Sequence, residues 1–511
     1  MSATAPGLAM LRRVVVLPAT GTLDLQFEAI ESRRDSLVIT AKSLEPSIDL
    51  RNSEVFNRTL FTRDDQVFQQ LDAGINAGQH EGGGKSLEIR RFGFNLDHGG
   101  VNGGLKVLVD DVQQNQGSQG HGQGYLGSLK ALSPELIEGV TIINGPFSPE
   151  YGDFSGLGVV HIRQKEALPD EFTARLEGGN YNTGRRFLAF SPANSYVAYE
   201  GSYTDGPFQN PGAYRRDNVN ANFTKSLSSE EKLGFRFIFG RNNFSSSGQI
   251  PLDLVNEGKL DRFGYVDPTD GGRVKLGTAS AYYSKAFANG DTLKADGFVG
   301  RSLFDLFSNF TYFLNDPVNG DAFQQHDSRL QEGANGQYMH SHKIGHVAAV
   351  FTSGRAYGFE AKTSVELTHH LSLNAGLTKI LIAYFRGGDH RVYVDSAPHF
   401  VASAGLTLAA WWGWSGSLRM RAINHYRLDG EDASIVASGH TVWDLGISRR
   451  ITSRVDFNVS LDNLLSRDYY ETQNYFDSRV TPDAPSVSRI HATPAYPLTA
   501  IAGVTMRFGR K

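Results

Sequence analysis

The sequence predicts a mainly β protein, an antiparallel transmembrane β-barrel preceded by a smaller α+β domain. In the run V-D-F-N-V-S-L-D at residues 455–462 every second residue is apolar, which is the two-residue period of a β-strand. Residues 498–508 repeat the alternation, and their polar face carries Arg507. A charged side chain on the polar face of a long strand is typical of the water-filled side of a membrane barrel.

Composition narrows the class of protein. The chain has 511 residues and no apolar run near the roughly 18 residues that a membrane helix requires. Its formal net charge is -4 and its Lys and Arg residues are scattered, so nucleic acid is not a predicted partner. The absence of cysteine excludes a disulfide scaffold and a thiolate metal site. The amino-terminal residues lack the apolar core of a secretory signal peptide, so either the chain is not exported or its start is missing.

Ahead of the barrel, the chain reads as two short parts. Residues 1–34 hold one short strand pair, too little to fold alone. Residues 42–165 mix short apolar strands with glycine-rich loops and one helix start. At that start Ser133 is the predicted N-cap, Pro134 suits the first helical position, and Glu135 adds a favourable first-turn charge. This pattern predicts a small α+β domain.

From residue 168 to residue 511 the pattern becomes one of repeated strands separated by turns rich in Asn, Asp, Gly and Pro. Residues 233–240 and 371–378 alternate as the C-terminal strands do. Trp411, Trp412 and Trp414 stand at a strand end and predict an interfacial aromatic girdle. The alternative is that they are core anchors of a soluble sheet.

One segment carries a resemblance to a known family. The run I-E-G-V-T-I-I-N-G-P-F-S-P-E-Y-G-D-F-S-G-L-G-V-V-H-I-R resembles the plug signature of TonB-dependent outer-membrane receptors. The matching residues are Gly145, Pro146, Ser148, Tyr151, Gly152, Gly156 and Gly158. Thr141 and Asn144 stand where the family usually has charged residues, so the family's ionic latch between plug and barrel is not expected in this chain. The run V-S-L-D-N-L-L-S-R-D-Y-Y near the C terminus resembles the family's penultimate-strand motif.

The resemblance implies a receptor in the outer membrane of a Gram-negative bacterium, with residues 42–165 as the plug and 168–511 as the barrel. A run similar to the TonB box, which the inner-membrane TonB complex captures by strand addition, comprises Asp35, Ser36, Leu37, Val38, Ile39, Thr40 and Ala41. Residues 1–34 resemble the end of a carboxypeptidase-regulatory-like segment. The implied partners are the TonB complex, outer-membrane lipid and a small extracellular ligand, either a metal chelate or a glycan. A ferric siderophore is favoured, with cobalamin or an oligosaccharide as the alternative substrate.

The barrel is shorter than the resemblance implies. Plugged barrels of this kind have about 22 strands, and at roughly 20 residues per strand the segment 168–511 allows only about 14 to 16. Residues 350–356 pass abruptly from an early-barrel pattern to a late-barrel pattern. We therefore expect an internal deletion or a mis-joined gene model near this junction.

Two segments are candidates for ligand contact. Amide and imidazole side chains that suit an oxygen-rich ligand would lie at the plug apex: Gln113, Gln114, Asn115, Gln116, Gln119, His121 and Gln123. The alternative is a flexible polar loop without ligand contact. His340 and His342 are weak metal candidates, because a flat row of strand histidines ending at His346 spans roughly 20 Å at about 3.3 Å per residue. No resident metal or cofactor is predicted.

The sequence also argues against an enzyme. It has no G-x-S-x-G elbow, no H-E-x-x-H helix and no phosphate-binding G-x-x-x-x-G-K-[ST] loop. Two alternatives stay open beside a transport receptor. One is a non-transporting barrel, such as an adhesin, a ligand-binding protein or a degenerate truncated receptor, and the other is an outer-membrane hydrolase.

Overall fold

The structure is a computed structural model that describes residues 2–3, 11–12, 48–52, 75–79, 85–89, 105–114, 131–143, 158–288, 291–339, 357–382, 384–387, 390–393 and 399–510. The chain divides into two compact units, residues 1–48 with 345–351 and residues 49–344 with 352–511. In the first unit β1 (Ser2–Ala3) pairs antiparallel with β2 (Leu11–Arg12). The second unit holds the plug and the barrel.

The plug is built on a small mixed sheet. Its strands are β3 (Ile48–Asn52), β4 (Ile75–Gln79), β5 (Lys85–Ile89), β6 (Leu105–Val109), β7 (Val112–Gln113), β8 (Ile137–Ile143) and β9 (Gly158–Gln164). Five of them form a sheet in the order β3-β8-β9-β6-β7, and β4 pairs with β5 separately. Strands β6 and β9 are parallel. Val107, Ile142 and Val160 are fully buried in this sheet, because both of its faces are covered.

The helix predicted at Ser133 is a single 3-10 turn over Pro134–Leu136. Ser133 and Pro134 occupy the predicted positions at its start. The turn does not continue, because the following residues, I-E-G-V-T-I-I, are rich in β-branched side chains and form β8.

The remaining strands, with one short helix, are numbered in chain order. They are β10 (Asp170–Gly179), β11 (Thr183–Phe190), β12 (Ser195–Thr204), β13 (Tyr214–Ser226), β14 (Glu231–Ser245), β15 (Ile250–Pro251), α1 (Leu252–Asn256), β16 (Gly271–Ala286), β17 (Thr292–Ser308), β18 (Phe323–Met339), β19 (Tyr357–Glu366), β20 (Leu371–Ile382), β21 (Tyr384–Gly387), β22 (His390–Tyr393), β23 (Phe400–Trp411), β24 (Trp414–Ile423), β25 (Tyr426–Arg427), β26 (Val436–Ala437), β27 (His440–Arg450), β28 (Val455–Asp462), β29 (Tyr470–Ser478), β30 (Val487–Pro494) and β31 (Thr499–Arg510).

Fifteen of these strands form one large antiparallel sheet within the described residues. Its order is β18-β17-β16-β14-β13-β12-β11-β10-β31-β28-β27-β24-β23-β20-β19. The first strand, β10, pairs with the last, β31, so the two ends of the barrel sequence meet. The predicted barrel of about 14 to 16 strands is confirmed.

The two faces of this sheet differ as the alternation predicts. On β14, Phe235, Phe237 and Phe239 are 56%, 44% and 38% exposed, whereas Arg236 and Ile238 are both only 8% exposed. The outward face is therefore apolar and open, and the inward face is covered by the plug. In the part of the chain that the structure describes, no helix is long and apolar enough to cross a membrane.

The tryptophans lie at a tight turn between β23 and β24. Trp411, Trp412 and Trp414 are 51%, 89% and 38% exposed, so they are not core anchors. The guanidinium of Arg449 lies 4.8 Å from the ring centroid of Trp414. These rings at a strand end match the expected position of an interfacial girdle.

From β11 onward the connections alternate between short and long along the sheet, which defines a short-turn rim and a long-loop rim. The β10–β11 connection, residues 180–182, is also short but lies at the long-loop rim. Strand β18 ends at the short-turn rim, where Met339 pairs with Thr292. Strand β19 begins at the long-loop rim, where Tyr357 pairs with Ile382. These two edge strands therefore run in the same direction and cannot close the ring by direct antiparallel pairing. The predicted deletion at residues 350–356 lies outside the described residues.

Candidate functional site: the contact between plug and barrel wall

The 3-10 turn of the plug lies against the inner faces of β11 and β12. Leu136 is fully buried there, in a cluster with Leu168, Phe187, Ala189, Tyr196 and Ala198. Ser133 makes no side-chain capping bond to its own turn. Its hydroxyl instead donates a hydrogen bond to Glu200 of β12, so the residue predicted as a cap attaches the plug to the barrel.

Beside this apolar contact, Glu135 of the plug binds two arginines of the barrel. Its Oε2 lies 2.7 Å from Nη2 of Arg185, and its Oε1 lies 2.8 Å from Nη1 of the same residue. Oε1 is also 3.2 Å from Nη1 of Arg175. The pairing with Arg185 is thus bidentate, a geometry that strengthens a charge-assisted hydrogen bond.

These groups belong to a larger network, called here the ionic cluster. Its members are Glu135, Arg175, Glu177, Arg185, Glu200 and Arg216. Arg185 is central, since Nη1 also lies 2.9 Å from Glu177 and Nε lies 2.7 Å from Glu200. Arg216 pairs with Glu200 in turn. Three carboxylates therefore balance three guanidinium groups, and the plug supplies one of the six charges.

The balance matters because the cluster is buried. The side chains of Glu177 and Glu200 are 1% and 0% exposed, and that of Glu135 is 15% exposed. A buried pair is costly to break, since the partner that remains has an uncompensated charge, and the cost is about 3–5 kcal/mol. Withdrawal of Glu135 would leave three arginines facing two carboxylates on the barrel wall.

Glu135 stays ionised over the physiological range. Burial alone would raise its pKa, but the guanidinium groups of Arg185 and Arg175 lower the pKa to about 2. The usual value is 4.5. The plug therefore carries a fixed negative charge at this contact.

A second ion pair joins the plug to β14. Asp110 lies in the turn between β6 and β7 with a φ of 53°, a left-handed conformation that Asp tolerates better than most residues. Its Oδ1 accepts a hydrogen bond from the backbone N–H of Gln164 at 3.1 Å, and its Oδ2 pairs with Arg236. The guanidinium of Arg236 also lies 5.4 Å from the ring centroid of Tyr282.

The predicted site residues are placed as follows. Gly158 is the first residue of β9 and is buried. Gln113 ends β7 and Gln114 follows it, both half-buried, with the Nε2 of Gln114 donating to the Val112 carbonyl at 2.9 Å. The remaining candidates lie outside the described residues, namely Asp35–Ala41, Gly145, Pro146, Ser148, Tyr151, Gly152, Gly156, Asn115, Gln116, Gln119, His121, Gln123, His340 and His342.

Sequence reasoning missed the ionic cluster. The expectation that plug and barrel lack an ionic latch, which is based on Thr141 and Asn144, is wrong, because Glu135 and Asp110 supply the plug carboxylates. On the barrel side, the alternation of β10 and β11 places Arg175 and Arg185 on the inward face of the sheet. The alternation predicts an inward charge but not its partner, because Glu135 and Arg185 are 50 residues apart in the sequence.

A separate assembly joins several connections at the long-loop rim, called here the loop cluster. Strands β15, β30 and β29 form a three-stranded sheet, and Asn474 Nδ2 donates to Gln249 Oε1 at 2.9 Å. Arg262 Nη2 donates to the Tyr469 carbonyl at 2.6 Å, and Arg262 Nη1 lies 2.9 Å from Asp468. The connections 246–270 and 463–498 are thereby fixed to each other.

Comparison with known protein families gives a match for the plug part of the chain. Residues 41–159 match the family model described as TonB-dependent Receptor Plug Domain. The chain therefore carries a plug domain of that family, followed by an antiparallel barrel sheet. A comparison with characterised protein sequences gives no match.

Solved structures share this fold at low sequence identity. The siderophore receptor PiuA from Acinetobacter baumannii has a TM-score of 0.63 and 10% identity, over 90% of this chain and 96% of that one. The ferric citrate transporter FecA in its unliganded form has a TM-score of 0.61 and 11% identity, over 90% and 96%. The ferric-catecholate import receptor Fiu from E. coli K12 has a TM-score of 0.60 and 12% identity, over 90% and 96%. The family model identifies the plug domain, and the shared fold shows that the chain has the plug-and-barrel architecture of these solved structures.

Proposed function

We propose that this protein is an outer-membrane receptor that takes up a scarce iron chelate, of the ferric siderophore class, with energy from the inner-membrane TonB complex. The observation that carries the proposal is the ionic cluster, which attaches the plug to the barrel through charged contacts. A plug that only had to seal the barrel permanently could be held by apolar packing. Breaking the buried ion pairs costs about 3–5 kcal/mol, so they hold the plug until the inner-membrane complex pulls on it, and the separated charges can then be hydrated.

The orientation follows from the two rims. Outer-membrane barrels have short periplasmic turns and longer extracellular loops, so the long-loop rim faces outside. A ligand from outside would meet the loop cluster first and the plug beneath it. Both β9, which ends the plug, and β31, which ends the chain, run towards the short-turn rim, where the inner-membrane partner would act.

The transport cycle is then a shift between two plug states. Ligand bound at the outer side favours the state in which Asp35–Ala41 is offered to the TonB complex, which requires a higher ligand affinity for that state. The complex captures this segment by strand addition and pulls. Release of the plug from β10 and β11 requires that Glu135 leave Arg175 and Arg185.

The iron-chelate assignment is supported by the solved structures that share the fold, which are named as a siderophore receptor, a ferric citrate transporter and a ferric-catecholate import receptor. The test is uptake of radiolabelled iron as ferric citrate and as ferric enterobactin by cells that express the chain. Cyanocobalamin and maltodextrin serve as alternative substrates.

A deletion of residues 35–41 separates transport from binding. We expect iron uptake to stop while binding of the chelate to the cell surface persists. Unchanged uptake after the deletion would refute the TonB-driven mechanism. Surface binding without uptake in the unmodified chain would instead favour a non-transporting barrel. Uptake of cyanocobalamin or maltodextrin and not of either iron chelate would overturn the ligand class alone.

A further inference from the structure

The outward face of the N-terminal barrel strands carries an unusual concentration of positive charge next to the long-loop rim. A register row is here a line of directly paired residues that crosses neighbouring strands. Three successive register rows cross β11, β12, β13, β14, β16, β17 and β18 next to this rim. Their six cations, called here the basic patch, are Arg186, Arg215, Arg241, Arg273, Lys275 and Arg301. All six are exposed.

Carboxylates in the same rows do not balance this charge. Asp217 is shared by Arg215 and Arg241, at 3.3 and 3.2 Å. Asp305 lies 2.7 Å from Nδ1 of His326. Six cations against two carboxylates leave an excess of four positive charges in the three rows.

The centre of the patch is electrostatically unfavourable by itself. Arg241 and Lys275 are directly opposite each other on β14 and β16, and like charges in that position destabilise a sheet. Arg273 lies two residues from Lys275 on the same face of the same strand. Among the described residues Lys275 has no ion-pair partner. A bound anion would remove this repulsion.

The patch overlaps the edge of the apolar band of the barrel, since the row with Arg301 also contains Phe239 and Leu330, 38% and 61% exposed. The two register rows beyond it, towards the short-turn rim, contain one carboxylate, Glu332 on β18, and the following apolar residues, each at least 43% exposed: Val197, Phe223, Phe235, Phe237 and Val299. Adjacent rows are about 7 Å apart along a strand. Since the apolar rows face the acyl chains, the cations lie at the level of the lipid headgroups.

The charge is confined to one side of the barrel. In the four outward rows nearest the same rim on β20, β23, β24 and β27, the described residues contain one cation, Lys379. Its ammonium lies 6.0 Å from the ring centroid of Phe400. The basic patch is therefore a local feature of β11–β17 and not a general property of the rim.

We propose that the basic patch binds the phosphate groups of a multiply phosphorylated lipid in the outer leaflet. From β11 to β17 the patch spans five inter-strand spacings, or about 24 Å, which is wide enough for two phosphates of one headgroup. Arginine binds phosphate through paired donors, and the acyl chains of the same lipid would lie along the apolar rows. The proposal uses the orientation given above but does not depend on the transported ligand.

The test is binding of diphosphoryl lipid A to the detergent-solubilised full chain, measured by native mass spectrometry and by titration. The substitutions Arg241→Gln, Arg273→Gln and Lys275→Gln, made together, should weaken binding at least tenfold. The matched control removes three exposed cations elsewhere, Lys225→Gln, Lys259→Gln and Arg454→Gln, and should leave binding within about twofold. Both variants must keep the heat-modifiable electrophoretic mobility of a folded barrel.

Two further ligands test whether the patch recognises a diphosphorylated lipid or soluble phosphate. Monophosphoryl lipid A should bind several-fold more weakly than the diphosphoryl form, and free pyrophosphate at the same concentration should not displace the lipid. Equal weakening by the control substitutions, or full binding by the patch variant, would overturn the site. Displacement by pyrophosphate would show a site for soluble phosphate and would overturn the lipid assignment.

Discussion

The two halves of the barrel sheet differ in strand length and in the parts of the protein that they contact. The N-terminal half, β10 to β18, contains long strands such as β16, β17 and β18, with 16, 17 and 17 residues. Its inner face holds both ion pairs to the plug described above, and its outer face bears the basic patch. The C-terminal half, β19 to β31, has shorter strands, such as β24 and β28 with 10 and 8 residues, and it supplies β29 and β30 to the loop cluster.

The N-terminal half of the sheet therefore anchors the plug, and the C-terminal half contributes strands to the loops that a ligand would meet first. The plug is attached to one wall through a small number of buried charges, so a limited set of exchanges frees that contact. The loop cluster is joined by the buried Asn474–Gln249 hydrogen bond and by an ion pair whose carboxylate, Asp468, is solvent-exposed. It makes none of the described ion pairs to the plug.

The largest expected effect comes from the substitution Glu135→Gln. The amide keeps the shape but removes the charge, and it leaves three buried arginines facing two carboxylates. We expect the plug contact to weaken by about 3–5 kcal/mol. Hydrogen exchange of residues 131–143 would measure it, with Glu230→Gln at an exposed turn as the control. Unchanged protection in Glu135→Gln would show that the N-terminal half does not hold the plug through charge.

Lowering the pH should weaken the contact between plug and barrel by a similar but slightly smaller amount than Glu135→Gln. The pKa of Glu135 is about 2 in the folded protein and 4.5 without its surroundings, so its stabilisation is complete above about pH 4.5 and is lost as pH falls towards 2. The difference corresponds to about 3 kcal/mol. Thermal unfolding in detergent should be measured between pH 7 and pH 2.5. The melting temperatures of the unsubstituted protein and of Glu135→Gln should approach each other as the pH falls. A constant gap between them would contradict this account.

The second anchor should contribute less than the first. Asp110→Asn can keep its hydrogen bond to the Gln164 backbone but loses the ion pair with Arg236, which still lies over Tyr282. We expect the free energy of local opening of β6 and β9, measured by hydrogen exchange, to fall by about 1.5–3 kcal/mol, the contribution of one charge-assisted hydrogen bond. Because Asp110 and Glu135 share no partner, the double variant should show the sum of the two losses. A strongly non-additive double variant would mean that the two anchors form one unit.

The smallest effect is expected in the C-terminal half. The side chain of Asp468 is 77% exposed, so Asp468→Asn, which removes the ion pair but leaves the hydrogen bond from Arg262 to the Tyr469 carbonyl, should cost about 1 kcal/mol or less. Hydrogen exchange should rise in β29 and remain unchanged in residues 131–143. Increased exchange in the plug would show that the two regions are coupled more tightly than the contacts indicate.

The strands were predictable because each depends on a local pattern. Residues 455–462 and 233–240 show their inward and outward faces by alternation alone, and the structure confirms both. The ionic cluster was not predictable in the same way. Glu135 and Arg185 are 50 residues apart, and only the docking of the plug decides which inward arginine meets which carboxylate.

Ser133 shows the same limit at a single residue. Its sequence neighbours predict a helix that begins with Pro134, whereas the structure has a single 3-10 turn there. The local rule also predicts that the Ser133 hydroxyl binds the backbone of its own helix. In the folded protein the Glu200 carboxylate is a stronger acceptor and takes that hydrogen bond instead.

The most direct test of the plug anchor is a double-mutant cycle between Glu135→Gln and Arg185→Met, with hydrogen exchange of residues 131–143 as the measure of plug attachment. Each single variant should weaken the contact strongly, and the double variant should lose less than the sum. We predict a coupling energy of about 2–3 kcal/mol. Additive losses, with no coupling between the two residues, would contradict the claim that this pair holds the plug to the barrel wall.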